Sequence, residues 1–267
     1  MIINGKKIKL KRYSSGEMKL LHSDFKEFID VEIIDIFYEM EQANFFELLI
    51  LLNYFKSFNK KLNLTLAYLP YQRMNHAGNN NVMTLQYVAN LLNDLNLNSL
   101  TVAEPHCSLE LFKNSKSFSA VKTIYNKLLK QMPELKNYQL VFTDKGGVER
   151  YKNLANNFIY GQKVRNQQTG LIENYELIGT LTSETVVIID DIISTGDTII
   201  SAIEQLEKKN IKRIIIICGH LEKNKYNKRL TQHKLVTNLF ATNSLTKKSF
   251  NKKIKLFSLW EILNEKQ

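Results

Sequence analysis

The 267-residue chain is 44% hydrophobic and 24% charged, with three prolines and two cysteines; this excludes a disordered, collagenous or disulfide-stapled protein and leaves length for one large domain or two small ones. Its formal net charge of +11 is scattered through small clusters, "KKIKLKR", "EKNKYNKR" and "KKSFNKKIK", which read as solvated surface lysines whose field favours anionic small substrates, so nucleic acid is not an expected partner. The N-terminus "MIINGKKIKLKRYSSGE" lacks the apolar core of a signal peptide, no apolar run could cross a bilayer, and Cys107 and Cys218 stand far apart without metal spacing; a cytoplasmic protein without a membrane partner is expected.

In chain order, "LNLTLAYLP" predicts a strand, "VMTLQYVANLLNDLN" an amphipathic helix with apolar residues at three- and four-residue steps, and "SLTVAEP" a second strand. A polar stretch, "FKNSKSFSAVKT", marks a division between two domains near residues 115 to 135. Beyond it come a strand in "YQLVFTD", a helix in "GVERYKNLANNF", a strand in "TVVIIDD", a helix in "TIISAIEQLEKKN" and a wholly apolar strand in "KRIIIICGH". Strands that are apolar throughout and alternate with helices imply an α/β fold of mainly parallel sheets covered on both faces. Because the strand, turn and helix unit recurs in both halves, two similar domains are expected, 1–120 and 121–254, with the terminal helix 255–267 packed on the first.

Ligands in such sheets bind outside the carboxyl ends of the strands. That rule singles out "YLPYQRMNH", "AEPHCS", "FTDKGG" and "IDDIISTGDT". In the last of these, Asp190 and Asp191 close a buried strand, and Ser194, Thr195, Gly196, Asp197 and Thr198 form a turn before a helix. Small residues at a helix N-terminus offer free N–H groups to an anion, and paired carboxylates beside them suit the vicinal hydroxyls of a ribose phosphate. The plainer alternative is a strand end followed by an ordinary helix cap.

This stretch resembles the ribose-phosphate motif of type I phosphoribosyltransferases and of phosphoribosyl pyrophosphate synthetases, the ribose-phosphate pyrophosphokinases. Other segments are similar to the synthetases over nearly the whole chain: "RYSSGEMKL", "LPYQRMNH", "TLQYVANLLNDLNLNSLTVAEPHCSLELF", "FTDKGGVERYKNLANNF", "YGQKVRNQ", "KLVTNLFATN" and "KIKLFSLWEIL". The resemblance implies two tandem phosphoribosyltransferase-like domains and transfer of pyrophosphate from Mg-ATP to a sugar's anomeric hydroxyl. It puts Tyr13, Ser15, Glu17, Arg73 and His106 at ATP-binding positions, and Asp144, Lys145, Gly146 and Gly147 in a pyrophosphate loop. Lys163 and Arg165 fall in a catalytic flexible loop, Asp190 and Asp191 on the ribose, and His106 and Asp144 near Mg2+. ATP as co-substrate and a homo-oligomer, a dimer or a hexamer of dimers, are implied as well. A lone Lys-x-Arg in so basic a chain carries no information; its place in the series does. His106 could equally be a satisfied core residue.

Some positions depart from the synthetase pattern. Glu104 stands where the family has Asp, and Met74 and Asn75 replace polar and acidic residues. Asp197 stands where a glycine is usual, and a carboxylate about 4 Å from a phosphate charge is repelled by roughly 4 kcal/mol per unit charge at an effective dielectric near 20. A phosphate esterified on its outer side suffers about half of that, so ADP-ribose is weighed beside ribose 5-phosphate as the acceptor. Asp197 turned to solvent would leave both open. A plain phosphoribosyltransferase and a non-catalytic paralogue of the synthetases are the alternatives.

Overall fold

A computed structural model describes residues 1–39, 45–78, 81–165, 172–224 and 227–265, without the side chains of 164, 165 and 172–174. The chain forms two compact units, Met1–Phe118 and Ser119–Gln267.

In the first unit the strands are β1 (Ile2–Ile3), β2 (Lys6–Lys7), β3 (Lys11–Arg12), β4 (Met18–Lys19), β5 (Ile33–Tyr38), β6 (Lys61–Leu66), β7 (Ser99–Ala103) and β8 (Ser115–Phe118), and the helices are α1 (His22–Ile29), α2 (Phe45–Lys56) and α3 (Thr84–Asp94). Six strands form one sheet in the order β2-β1-β5-β6-β7-β8. The run β5 to β8 is parallel, β1 joins it antiparallel, and β3 and β4 form a separate two-stranded sheet. Helix α3 buries Leu85, Val88, Ala89 and Leu92, the three- and four-residue spacing that gives a helix one apolar face.

The second unit contains α4 (Ala120–Gln131), β9 (Gln139–Phe142), α5 (Lys145–Tyr151), β10 (Phe158–Arg165), β11 (Ile172–Ile178), β12 (Thr185–Ile193), α6 (Asp197–Glu207), β13 (Arg213–Leu221), α7 (Lys228–Gln232), β14 (Val236–Thr242), β15 (Ile254–Phe257) and α8 (Leu259–Asn264). Its seven strands run β11-β10-β9-β12-β13-β14-β15, all parallel except the β10–β11 hairpin. Val141, Ile188, Ile216 and Leu239 from four adjacent strands share a core with Ile199, Ala202, Ile203 and Leu206 of α6. Central strands covered on both faces must be apolar throughout, which is why "IIIIC" in β13 is wholly buried.

Three sequence expectations are corrected. The helix expected over 147–158 ends at Tyr151, passes through a short 3-10 turn at Lys152–Leu154, and gives way to β10 at Phe158, which pairs with Leu140. Of the segment "YGQKVRNQ", residues 160–165 are not loop but strand, paired with β11 along their length and with β9 at Tyr160, and Asn166 and Gln167 lie outside the described residues. The terminal segment 255–267 does not belong to the first unit. Its start, β15, pairs with β14, Asn243 Oδ1 accepts the Leu259 N–H at 2.9 Å, and Lys127 of α4 bonds Glu265, which together tie α8 to the second unit.

Candidate active site

The carboxyl ends of β9, β10 and β12 bring four predicted residues of the second unit together. Asp144 follows β9 and caps α5, its Oδ1 accepting the Gly147 N–H at 2.9 Å. An aspartate one residue ahead of a helix meets a donor that has no intrahelical partner, so the "DKGG" turn closes on itself. The glycines allow the close approach: a Cβ on Gly146 would stand 3.2 Å from Asp144 Oδ1, and one on Gly147 3.2 Å from Phe142 Cβ. Lys145 is exposed beside them.

Lys163, three-quarters buried, projects from β10 with Nζ 4.0 Å from the other Asp144 oxygen. Arg165 ends β10, and its side chain lies outside the described residues.

The acidic pair lies within β12, two residues before its end. Successive strand residues face opposite sides of a sheet, so the two carboxylates have different surroundings. Asp191 is buried and meets Arg150 of α5, Nη2 to Oδ1, at 3.2 Å. Burial is the largest influence and opposes the charge of Arg150, but Asp191, Tyr151, Asp144 and Asp190 together outweigh it and hold the guanidinium protonated above its usual range. Asp190 takes the Asp191 N–H at 3.0 Å and remains half-buried. Burial, then the negative charges of Asp191 and Asp144, push its carboxyl well above the ordinary range, against the pull of Arg150. A carboxylate held uncomfortably in this way gains most from an arriving cation or hydrogen-bond donor.

Tyr175, opposite Lys163 in the β10–β11 hairpin, donates its hydroxyl to the Thr143 carbonyl at 3.0 Å. Its phenol is pushed up by burial and by the charges of Asp190 and Asp144, so it stays a donor. The ring occupies the space above Gly161, and thereby ties the strand carrying Lys163 to the turn carrying Asp144.

In the 194–198 turn, Gly196 takes the left-handed conformation at φ +77°, and α6 starts at Asp197. Thr198 is half-buried in its first turn. The Asp197 carboxylate accepts from the Thr195 hydroxyl and the Arg229 guanidinium, in that order the causes that hold it below the usual carboxylate range. The repulsion expected from Asp197 is therefore offset within the protein by Arg229, which the sequence reading did not foresee, and the carboxylate is also largely turned to solvent, the alternative that reading had weighed.

The predicted residues of the first unit form two groups. Tyr13, Ser15 and Glu17 share the β3–β4 hairpin, where the Tyr13 N–H bonds the Glu17 carbonyl at 3.0 Å and the Ser15 hydroxyl bonds Glu17 Oε2 at 2.8 Å. Arg73 is exposed in the turn after β6, next to the buried Gln72, whose Oε1 accepts the His106 N–H at 2.8 Å. Glu104 is buried at φ +44°, a conformation non-glycine residues seldom adopt.

Arg150, Tyr175 and Arg229 escape sequence reasoning. Arg150 had one available signal, a cation one turn and a half beyond the capping Asp144. Tyr175 is placed by hairpin register, and Arg229 hides in the basic cluster read as surface lysines.

The fold and this arrangement define a phosphoribosyltransferase-type protein: residues 109–256, more than half of the chain, match the phosphoribosyl transferase domain model, and the chain belongs to that family. Its relatives are more particular. The chain is 27% identical over 253 residues to the ribose-phosphate pyrophosphokinase of Mycoplasmopsis pulmonis, covering 91% of this chain and 78% of that one. It is 26% identical over 216 residues to the ribose-phosphate pyrophosphokinase of Aquifex aeolicus, covering 78% and 69%. The crystal structure of phosphoribosylpyrophosphate synthetase from Mycobacterium smegmatis superposes with a TM-score of 0.76 at 17% identity over 96% of this chain and 87% of that one, a likeness of fold. The resemblance to ribose-phosphate pyrophosphokinases, an enzyme class of transferases, thus extends across both units. Among the described residues no helix is long and apolar enough to cross a membrane.

Proposed function

We propose that the chain transfers the β,γ-pyrophosphoryl group of Mg-ATP to the anomeric 1-hydroxyl of ribose 5-phosphate, releasing AMP. The observation that carries this reading is the convergence of Asp144, Lys163, Asp190 and Asp191 at strand ends beside the 194–198 turn, in a chain related to ribose-phosphate pyrophosphokinases. Asp190 accepts from the ribose hydroxyls. Asp191, neutralised by Arg150, keeps Asp190 in place. Lys163 rests against Asp144 and turns to the β-phosphoryl oxygens, where charge develops during transfer; Arg165 is proposed to act with it. Arg73 and His106, with Tyr13, Ser15 and Glu17, take the ATP-side roles that the resemblance implies.

Mg2+ is usually held by one or two carboxylates together with substrate phosphates and water rather than by a full protein cage. The site fits that habit: among the described residues no cluster of three or more His, Cys, Asp or Glu forms a cage, while Asp144 presents a carboxylate oxygen 4.0 Å from Lys163 beside the acidic pair. Bound there with the phosphates, the ion would offset their charge. His106 keeps its proposed metal role from the resemblance alone. A homo-oligomer, a dimer or a hexamer of dimers, is proposed on the same ground and is read by light scattering.

Ribose 5-phosphate is favoured because Asp197 is paired with Arg229. ADP-ribose is the second acceptor, since Asp197 keeps a carboxylate at the start of α6. Incubation with Mg-ATP and each acceptor, with AMP release and product mass followed, decides between them. AMP with ribose 5-phosphate alone removes ADP-ribose, AMP with ADP-ribose alone reverses the choice, and AMP with neither removes the transferase reading.

A further inference from the structure

Glu222 and Asn224, which follow β13, and Arg229 and Leu230 of α7 brace the 194–198 turn. Asn224 Nδ2 donates to the Ser194 carbonyl at 2.7 Å, and Arg229 Nη2 donates to the Thr195 carbonyl at 3.2 Å. Leu230 is fully buried beneath them, with Cδ1 2.8 Å from where a Cβ on Gly196 would stand. Two carboxylates also reach the turn. The Ser194 hydroxyl donates to Glu222 Oε2 at 2.6 Å, and Asp197 takes the Thr195 hydroxyl. The guanidinium that meets the Asp197 carboxylate is the same one that holds the turn's backbone.

A helix N-terminus attracts an anion through its partial positive charge, roughly half an elementary charge. One unpaired carboxylate in the first turn reverses the sign of that field, and the penalty grows with the charge of the incoming phosphate. Pairing with Arg229 restores it. The pair is partly exposed, with side chains 41% and 68% accessible, so solvent damps its strength but leaves the sign intact.

We propose that Arg229 is a specificity-determining residue of this site: by neutralising Asp197 it allows the start of α6 to accept a dianionic sugar phosphate. The proposal rests on the reading of this turn as a ribose-phosphate site and deepens it. Its action runs through Asp197, which separates it from an arginine that touches the phosphate directly.

The experiment measures ribose 5-phosphate binding to the full chain by isothermal titration calorimetry, alongside AMP release. The variants are Arg229→Gln, Arg229→Lys, Asp197→Asn and the Arg229→Gln/Asp197→Asn double. Arg229→Gln weakens binding by about 10- to 100-fold, equivalent to about 1.4 to 2.8 kcal/mol, and raises KM while kcat changes little. Arg229→Lys keeps most of the affinity, and Asp197→Asn tightens binding. The double variant, which loses the two opposite charges together, binds within about threefold of wild type. A double variant that binds as weakly as Arg229→Gln would make Arg229 a direct phosphate ligand and overturn the proposal, as would full affinity in Arg229→Gln. Should Arg229→Gln fail to fold, Arg229→Lys and Asp197→Asn still decide: no tightening in Asp197→Asn overturns it. A wild type that binds with this pattern but releases no AMP would retire the transferase reading and leave the charge pair standing. A wild type that binds no ribose 5-phosphate overturns the charge pair.

Discussion

Replacing Gly161 by alanine tests the tie between the lysine-bearing strand and the Asp144 turn. The added Cβ would stand 1.9 Å from Tyr175 Oη, 2.3 Å from its Cζ and 2.5 Å from the Thr143 carbonyl oxygen. None of these yields easily, because Tyr175 is 6% exposed and its hydroxyl is bonded to that same carbonyl. Over-packing a core by one methyl costs about 1–3 kcal/mol. Losing the hydrogen bond adds about 1 kcal/mol. For a unit of this size a combined loss of about 2–4 kcal/mol lowers the melting temperature by roughly 4–16 °C. Scanning calorimetry on wild type, Gly161→Ala, Tyr175→Leu and the double variant reads this directly. The double variant should be less destabilised than the sum of the singles, since leucine vacates the space the new methyl needs. A Gly161→Ala protein that melts with the wild type, or strictly additive singles, would show that the ring does not occupy that space.

Lys163→Ala should reduce AMP release by at least about 100-fold, the scale of losing one transition-state charge contact; its melting temperature should barely move because the contact with Asp144 is long and partly exposed. Turnover near that of wild type in Lys163→Ala would remove its catalytic role. Arg150→Met strands the buried Asp191 and should destabilise by about 3–5 kcal/mol, as breaking one side of a buried ion pair does; urea unfolding within 1 kcal/mol of wild type, at about the error of such measurements, would contradict this. Asp190→Asn should abolish turnover yet raise stability, because a carboxylate that the fold holds uncomfortably is replaced by a neutral group. The pH dependence follows in sign. The raised Asp190 binds its proton more tightly folded than unfolded, so stability falls as pH rises from the ordinary carboxylate range through the raised value. Asp190→Asn should flatten that fall, and an unchanged slope in urea titrations at several pH values would assign it elsewhere.

Much of the fold was legible because parallel strands covered on both faces must be apolar throughout. "TVVIIDD" and "KRIIIICGH" announce β12 and β13, and the small-residue turn after β12 marks the functional edge. The β10–β11 hairpin was not legible, since "YGQKVR" has neither alternation nor a long apolar run; its strand character comes from pairing with β9 and β11. The fate of residues 255–267 was equally hidden, because an apolar helix does not state which core it will cover.

The carboxylate pair and the glycine turns were legible in the sequence alone, because their chemistry needs particular residue types at short, fixed spacings, whereas Lys163 was marked only by its place in the series of segments similar to the synthetases. Charge was decided by tertiary structure. Arg150 pairs with Asp191 and partly relieves Asp190, whose carboxyl burial and the charges of Asp191 and Asp144 still push up, and Arg229, 32 residues beyond Asp197 in the chain, pairs with the one aspartate that departs from the family pattern. Electrostatic energy depends on separation in space, and only the folded chain sets that separation.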